Sequence, residues 1–185
     1  MALIQKKTVL ITGCSSGGIC WAMVKVFLEH GFHVVATARD PSEVGDITQL
    51  SNVDILELDV TIPHTISQCK DVVAQRMGGR LDVLVNNAGV EFVGLLLDVD
   101  IAEAKRMYDV NVWGPLSMVQ GFAPLLIEAR GVVVNQSSID AVLNIVWAGR
   151  SLVRASRSNL DTLAGRANPA SRRLPQFQGS RGAYV

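Results

Sequence analysis

The stretch Thr8-Val9-Leu10-Ile11-Thr12-Gly13-Cys14-Ser15-Ser16-Gly17-Gly18-Ile19 decides the fold, because a short β-branched run passes straight into a glycine cluster and then into a segment with helical striping. Strand, tight turn and helix in that order aim a helix N-terminus at the strand end, where free N–H groups and the helix dipole can meet a pyrophosphate. Ser15 and Ser16 can cap that helix or bond a phosphate. A glycine cluster alone is also what an ordinary tight turn uses; the strand before it and the helix after it favour the nucleotide reading. A second loop, Asn86-Asn87-Ala88-Gly89, follows another apolar run, Leu81 to Val85. Two such loops at strand ends point to a nucleotide-binding sheet.

Further runs at His33 to Ala38, Val53 to Leu58 and Gly131 to Asn135 complete a set of five. Short, continuous, β-branched runs indicate strands buried on both faces, hence a parallel sheet. Between them lie helical stripes, Ile19, Met23, Val26, Phe27 and His30 in the first and Val112, Leu116, Val119, Ala123 and Leu126 in the last. Alternating β and α segments require right-handed crossovers, which predicts an α/β fold with a doubly wound parallel sheet. Pro124 is expected to kink the last helix or end it early.

With 185 residues, 49% of them apolar, the chain can bury one substantial core. No stretch approaches the roughly 18–20 uninterrupted apolar residues of a membrane span. Met1 to Lys7 enters the first strand with no signal-peptide pattern, so the sequence predicts a soluble, intracellular chain. Cys14, Cys20 and Cys69 lack metal-ligand spacing and are odd in number, which argues for buried or loop thiols against a disulfide framework. The net charge of zero hides an asymmetry: residues 149–185 hold seven of the twelve Arg, no Lys and one acid, Asp161. The sequence therefore predicts a folded domain over 1–148 and a mostly disordered, Arg-rich tail over 149–185, with one short helix around Ser156 to Ala164. The tail lacks the interleaved aromatics of a nucleic-acid groove and the body is acidic, so nucleic acid is not an expected partner.

The two loops resemble the signatures of the short-chain dehydrogenases/reductases, Thr-Gly-x-x-x-Gly-x-Gly and Asn-Asn-Ala-Gly. The spelling Thr-Gly-Cys-Ser-Ser-Gly-Gly-Ile looks most like the fungal 1-acyldihydroxyacetone-phosphate reductase branch, in which a glycine follows the Ile; here Cys20 stands there. The resemblance implies a Rossmann-like sheet, incomplete at the C-terminal side, that binds NADP(H) and acts on a small-molecule carbonyl or secondary alcohol, with a lipid-like substrate. It implies cofactor contacts at Gly13, Ser15, Ser16, Gly17, Gly18 and Ile19, an adenine contact at Asp59 and Val60, and a cofactor-lining loop at Asn87, Ala88 and Gly89. If the third glycine lets helix and strand pack closely, the Cys20 side chain either pushes them apart or is accommodated by a small shift. Arg39, after Ala38 at the end of the second strand, can fork onto a 2′-phosphate where an acid would select NAD; a solvated surface Arg is the alternative. A cytoplasmic location, or one peripheral to an intracellular membrane or lipid droplet, also follows from the resemblance.

For catalysis the resemblance assigns Asn111, in Asn111-Val112-Trp113-Gly114, to a proton-relay water; a buried Asn with a backbone partner is the alternative. It assigns Ser138 as the catalytic Ser, with Ser137 as runner-up. The family then has a Tyr about thirteen residues on and a Lys four beyond it, places held here by Ser151 and Ala155, and neither Tyr108 nor Tyr184 is followed four residues later by Lys. A Tyr hydroxyl protonates a developing alkoxide only if a nearby cation lowers its pKa. The resemblance runs from about residue 7 to Gly149 and stops abruptly there, where the switch to a lysine-free, Arg-rich stretch looks like a reading-frame shift, a retained intron or an alternative transcript end. Impaired oligomerisation and an inactive remnant that binds only a nucleotide or a protein partner are the corresponding expectations.

Overall fold

In the computed structural model, residues 6–92 and 98–138 are described; the tail expected over 149–185 lies outside them. Five strands, β1 (Thr8–Ile11), β2 (His33–Ala38), β3 (Val53–Glu57), β4 (Val83–Asn86) and β5 (Val132–Asn135), form one parallel sheet in the order β3-β2-β1-β4-β5. Successive side chains on a strand point to opposite faces, and both faces are covered. Leu10, Val35 and Leu84 meet α2 (Pro63–Arg76) and α4 (Gly114–Ala129) through Ile66, Val73, Met118 and Phe122. Val9, Ile11, Val34, Ala36 and Val85 meet α1 (Ile19–Glu29) and the 3₁₀ segment Pro41–Gln49 through Cys20, Val24, Val44 and Ile47. Burial on both faces is why the central strands β1, β2 and β4 read as unbroken apolar runs.

The helix faces differ from the expected stripes. In α1 the buried residues are Cys20 and Val24, while Ile19 and Val26 are exposed. In α4 they are Gly114, Met118, Phe122, Leu125 and Leu126, and Leu116 is exposed. The stripes hold in part: Met23 and Phe27 of α1 and Val119 and Leu126 of α4 do pack on the core, but both helices carry apolar residues on more than one side, so spacing also picks exposed ones. Nor does Pro124 end α4, which continues to Ala129 and stops at Arg130 in the left-handed conformation (φ 51°). A proline forfeits one N–H bond and crowds the preceding turn; here Phe122, Leu125 and Leu126, buried on either side of it, hold the helix on the sheet.

α3 (Ile101–Tyr108), a π-helical turn (Asp109–Trp113) and α4 run on from one another as a continuous helical stretch of 29 residues, long and apolar enough by length and composition to cross a membrane. Met118, Phe122, Leu125 and Leu126 on it form part of the core under the sheet, whereas Ile101, Trp113, Leu116 and Ile127 are exposed. Among the described residues β3 and β5 are the two sheet edges; in β5 Val133 packs on the core while Val132 and Val134 are exposed.

Candidate functional site

Strand order reverses between β1 and β4: the chain winds from β1 out through β2 to β3, then returns to place β4 and β5 on the other side. In open α/β sheets a crevice opens at this reversal, beyond the carboxyl ends of the strands. Both sequence signatures lie there, and one hydroxyl ties them together. Thr12 Oγ1, almost fully buried, accepts hydrogen bonds from the N–H groups of Asn87 and Ala88, both at 3.0 Å, and donates to the carbonyl of Val85 at 3.4 Å. The Asn87 side-chain amide donates back to the carbonyls of Thr12 (2.9 Å) and Gly13 (3.1 Å). Gly13 has φ +71°, and a Cβ built there would stand 2.6 Å from Ala88 Cα. Only glycine allows both that backbone and that approach. The part played by Thr12 was missed in the sequence; a Thr closing a strand before glycine was the available signal.

The glycine loop is held from below as well. Cys14 N–H donates to Thr37 O at the end of β2 (2.8 Å), and Ser16 N–H donates to Glu43 O in the 3₁₀ segment (2.9 Å). Gly45 comes so near that a Cβ on it would lie 2.8 Å from Ser16 Oγ. The N-cap of α1 is Gly18, with no side-chain cap and no acid in the first turn, so neither Ser15 nor Ser16 caps the helix as expected. Among the described residues no side chain caps the first turn at Ile19 and Cys20, and no acid in that turn faces the positive end of the dipole. Gly17 (φ +74°) has nothing among the described residues within 4 Å of its would-be Cβ, so the loop is open at that point. These features fit a dinucleotide's pyrophosphate.

The three cysteines do not all remain thiols. Cys14 and Cys20 are joined as a disulfide with their Cα atoms 5.0 Å apart, and both are buried between β1 and α1. An odd cysteine count excludes a complete framework but not one local pair, and the glycine turn doubles the chain back to bring residues six apart together. Cys69 remains a free thiol in the core on the opposite face of the sheet, its pKa pushed up to about 12 by burial.

Around this centre stand the remaining candidates. Arg39 is exposed at the end of β2 with no ion-pair or hydrogen-bond partner among the described residues. Beside it Asp40 caps the 3₁₀ segment: its carboxylate accepts from Ser42 Oγ (2.7 Å) and Ser42 N (2.8 Å), and these two bonds hold its pKa below the ordinary carboxylate value. Asp59 Oδ1 is taken by Thr61 N (2.8 Å) and Thr61 Oγ1 (2.7 Å), which shapes the turn after β3. Val60 is buried against Gly114, whose would-be Cβ lies 2.8 Å from Val60 Cγ2. Gly89 continues the β4 loop at the surface.

Asn111 sits in the π-helical turn, a local widening frequent at functional sites. Its Nδ2 donates to Val90 O (2.8 Å) and its Oδ1 accepts from Val90 N–H (2.9 Å). The amide thus splints the β4 loop to the helix, the backbone-partnered alternative, and places Asn111 beside the candidate cofactor loop. Ser137 and Ser138 are exposed just past β5, and Gln136 N–H donates to Asn86 O at 2.8 Å, which holds this segment next to the end of β4. Asn86 Nδ2 also bonds Asn135 Oδ1 (2.9 Å), whereas Asn86 Oδ1 is buried without a partner among the described residues. The positions of Ser151 and Ala155 lie outside the described residues.

Comparison with known proteins agrees with this architecture. A profile of the short chain dehydrogenase family matches residues 7–157. The chain is 48% identical over 143 residues to short-chain dehydrogenase cctT of Talaromyces islandicus, covering 77% of this chain and 50% of the relative. It is 43% identical over 146 residues to short-chain dehydrogenase PC-15 of Penicillium crustosum, covering 79% and 54%. The chain thus spans about half the length of the curated relatives it matches. Among solved structures, a short-chain dehydrogenase from Streptomyces avermitilis superposes with a TM-score of 0.74 at 32% identity over 86% of this chain and 58% of that one. ElxO with NADP bound superposes with a TM-score of 0.72 at 28% identity over 85% and 65%.

Proposed function

Because the chain belongs to the short chain dehydrogenase family, we propose that it carries the cofactor-binding half of an NADP(H)-dependent oxidoreductase that interconverts a carbonyl and a secondary alcohol. The observation that carries this reading is the uncapped N-terminus of α1, free of acids and held at the β1/β4 reversal by Thr12 and Asn87. There the N–H groups of the first turn and the open Gly17 bind the pyrophosphate, Arg39 pairs with the 2′-phosphate, and Asp59 with Val60 flanks the adenine. Ala88 and Gly89 line the inner part of the crevice, toward Asn111 and Ser138. When bound, the nicotinamide supplies or accepts the hydride. The Ser138 hydroxyl polarises the substrate carbonyl, and Asn111 keeps the β4 loop and the helix in register beneath it.

The substrate class follows from the resemblance: a carbonyl on a lipid-like small molecule of the acyl-glycerone-phosphate kind. Titration with NADPH and NADH tests the cofactor reading. NADPH should bind more tightly, and Arg39→Asp should reverse the order. Equal affinities, or none for either, would overturn it.

A second reading, nucleotide binding without turnover, is favoured by Ser151 and Ala155 at the places of the family's Tyr and Lys. A positioned proton donor is worth about 10²–10⁴-fold in rate, so this chain should oxidise NADPH negligibly against a panel of carbonyls while still binding it. Robust turnover that Ser138→Ala abolishes would reject the second reading.

A further inference from the structure

Cys20 follows Ile19, the place where the fungal branch that the loop resembles has a glycine, which would let helix and strand pack closely. A side chain there would hold α1 away from β1. The structure resolves the conflict through a bond: Cys20 is joined to Cys14, Cα to Cα 5.0 Å, inside the apolar layer that Val9, Ile11, Val24 and Val34 share. That separation lies in the ordinary range for bridged cysteines, about 4.4–6.8 Å. The ring so closed encloses Ser15 to Ile19, the turn that presents its N–H groups to the site.

We propose that the Cys14–Cys20 pair is a reversible redox clasp that draws the first turn of α1 onto the end of β1 and thereby tightens dinucleotide binding. The proposal rests on the cofactor reading above. When the bond is broken, the two sulfurs must separate from about 2 Å to a van der Waals distance of roughly 3.5–4 Å. Close packing leaves no void to absorb that displacement. The element with freedom to move is the N-terminal turn of α1, which has no side-chain cap, and its Ile19 and Cys20 N–H groups move with it. Oxidation thus does for this chain what the third glycine does in the motif.

The oxidant is a small-molecule disulfide of the glutathione class. Both cysteines are buried while α1 is docked, so exchange takes place as its first turn opens: one cysteine thiolate then attacks the oxidant, forming a mixed disulfide and releasing one small thiol. The second cysteine thiolate attacks the protein sulfur of the mixed disulfide, closing Cys14–Cys20 and releasing the second small thiol. The two cysteine protons pass to the two released thiolates, and two electrons pass from the cysteines to the oxidant. Intracellular disulfides are mostly transient, redox-sensing bonds of this kind. Cys69, on the other face of the sheet, takes no part.

The test holds the full chain in excess glutathione disulfide or in dithiothreitol, counts alkylated thiols by mass spectrometry, and titrates NADPH by fluorescence. Oxidised protein should show one alkylated cysteine after unfolding and reduced protein three. NADPH should bind roughly tenfold more tightly to the oxidised form, the equivalent of relieving one overpacked contact. Without cofactor, amide hydrogens of residues 15–21 should exchange more slowly in the oxidised form. Cys20→Gly should bind NADPH tightly in both conditions, and Cys20→Ser weakly in both. Three alkylated thiols under oxidising conditions overturn the clasp. So does equal NADPH affinity in the two redox states while Cys20→Gly binds. If Cys20→Gly binds no NADPH at all, the cofactor reading fails, and the clasp fails with it.

Discussion

Replacing Gly13 by alanine isolates the contact on which the two strand-end loops depend. The variant's Cβ would lie 2.6 Å from Ala88 Cα and 3.0 Å from both Ala88 Cβ and Ala88 N, at a backbone φ of +71°. Holding an L-residue in that left-handed region costs about 1–2 kcal/mol, and overpacking against backbone costs about 1–3 kcal/mol more. The loss of stability should therefore be roughly 2–5 kcal/mol, a fall in Tm of roughly 4–20 °C for a chain of this size. Gly17→Ala is the matched control: its φ is +74° and nothing lies within 4 Å of the added methyl, so it should lose only the backbone share of about 1–2 kcal/mol. Urea unfolding of both variants, followed by circular dichroism, gives the difference directly. If the two variants are equally stable to within about 0.5 kcal/mol, the close approach of the loops contributes nothing and the account of Gly13 is wrong.

Other residues of the site offer independent checks. Thr12→Val strips an acceptor from two N–H groups at once, so it should cost about 2–5 kcal/mol, whereas Thr12→Ser should cost about 1 kcal/mol or less; equal unfolding midpoints for the two would remove Thr12 from its central role. The Asp40 carboxyl, followed by NMR, should titrate below the ordinary carboxylate range, and Ser42→Ala should raise its midpoint because the hydroxyl is the larger cause of the shift. Since the folded pKa is the depressed one, any stability this cap lends is complete above the unfolded pKa and disappears as pH falls through the folded value. A midpoint unmoved by Ser42→Ala would contradict the cap. With native protein at pH 8, a thiol reagent should leave Cys69 unmodified, because a pKa raised to about 12 keeps it protonated and its burial blocks access; rapid labelling at that position would show the core on the α2/α4 side to be open.

The central strands were legible in the sequence because they are covered on both faces, which leaves β-branched runs such as Val34-Val35-Ala36 with no polar interruption; β5, exposed at Val132 and Val134, was legible by its β-branched residues alone. The two loops were legible because their backbone requirements fall on glycines. Helix faces were legible only in part: the expected Met23 and Phe27 do pack on the core, but α1 carries apolar residues both toward the sheet, at Cys20 and Val24, and toward solvent, at Ile19 and Val26, and spacing alone does not distinguish the two. The 3₁₀ segment went unseen because Pro41–Gln49 has only Val44 and Ile47 to bury and breaks its own helicity at Gly45. Two features of the site depend on contacts that spacing cannot reveal. Asn111 meets Val90 across 21 positions of sequence, and Cys14 meets Cys20 only after the turn has folded.

The place of β1 at the centre of the sheet also governs the order in which a growing chain can become protein. Its partner on one side, β2, begins at His33, but the partner on the other side, β4, ends only at Asn86. At about 5–20 residues per second of synthesis, the β4-facing edge of β1 waits on the order of 4–15 s after β1 itself has been made. During that interval Leu10 and Ile11 present apolar side chains and unpaired backbone groups to whatever is near, and Thr12 has neither Asn87 nor Ala88 to receive. A nascent chain that ends before Asn86 thus carries β1 with one edge unpaired, and the nucleotide loop becomes a defined shape only when the second loop has been made.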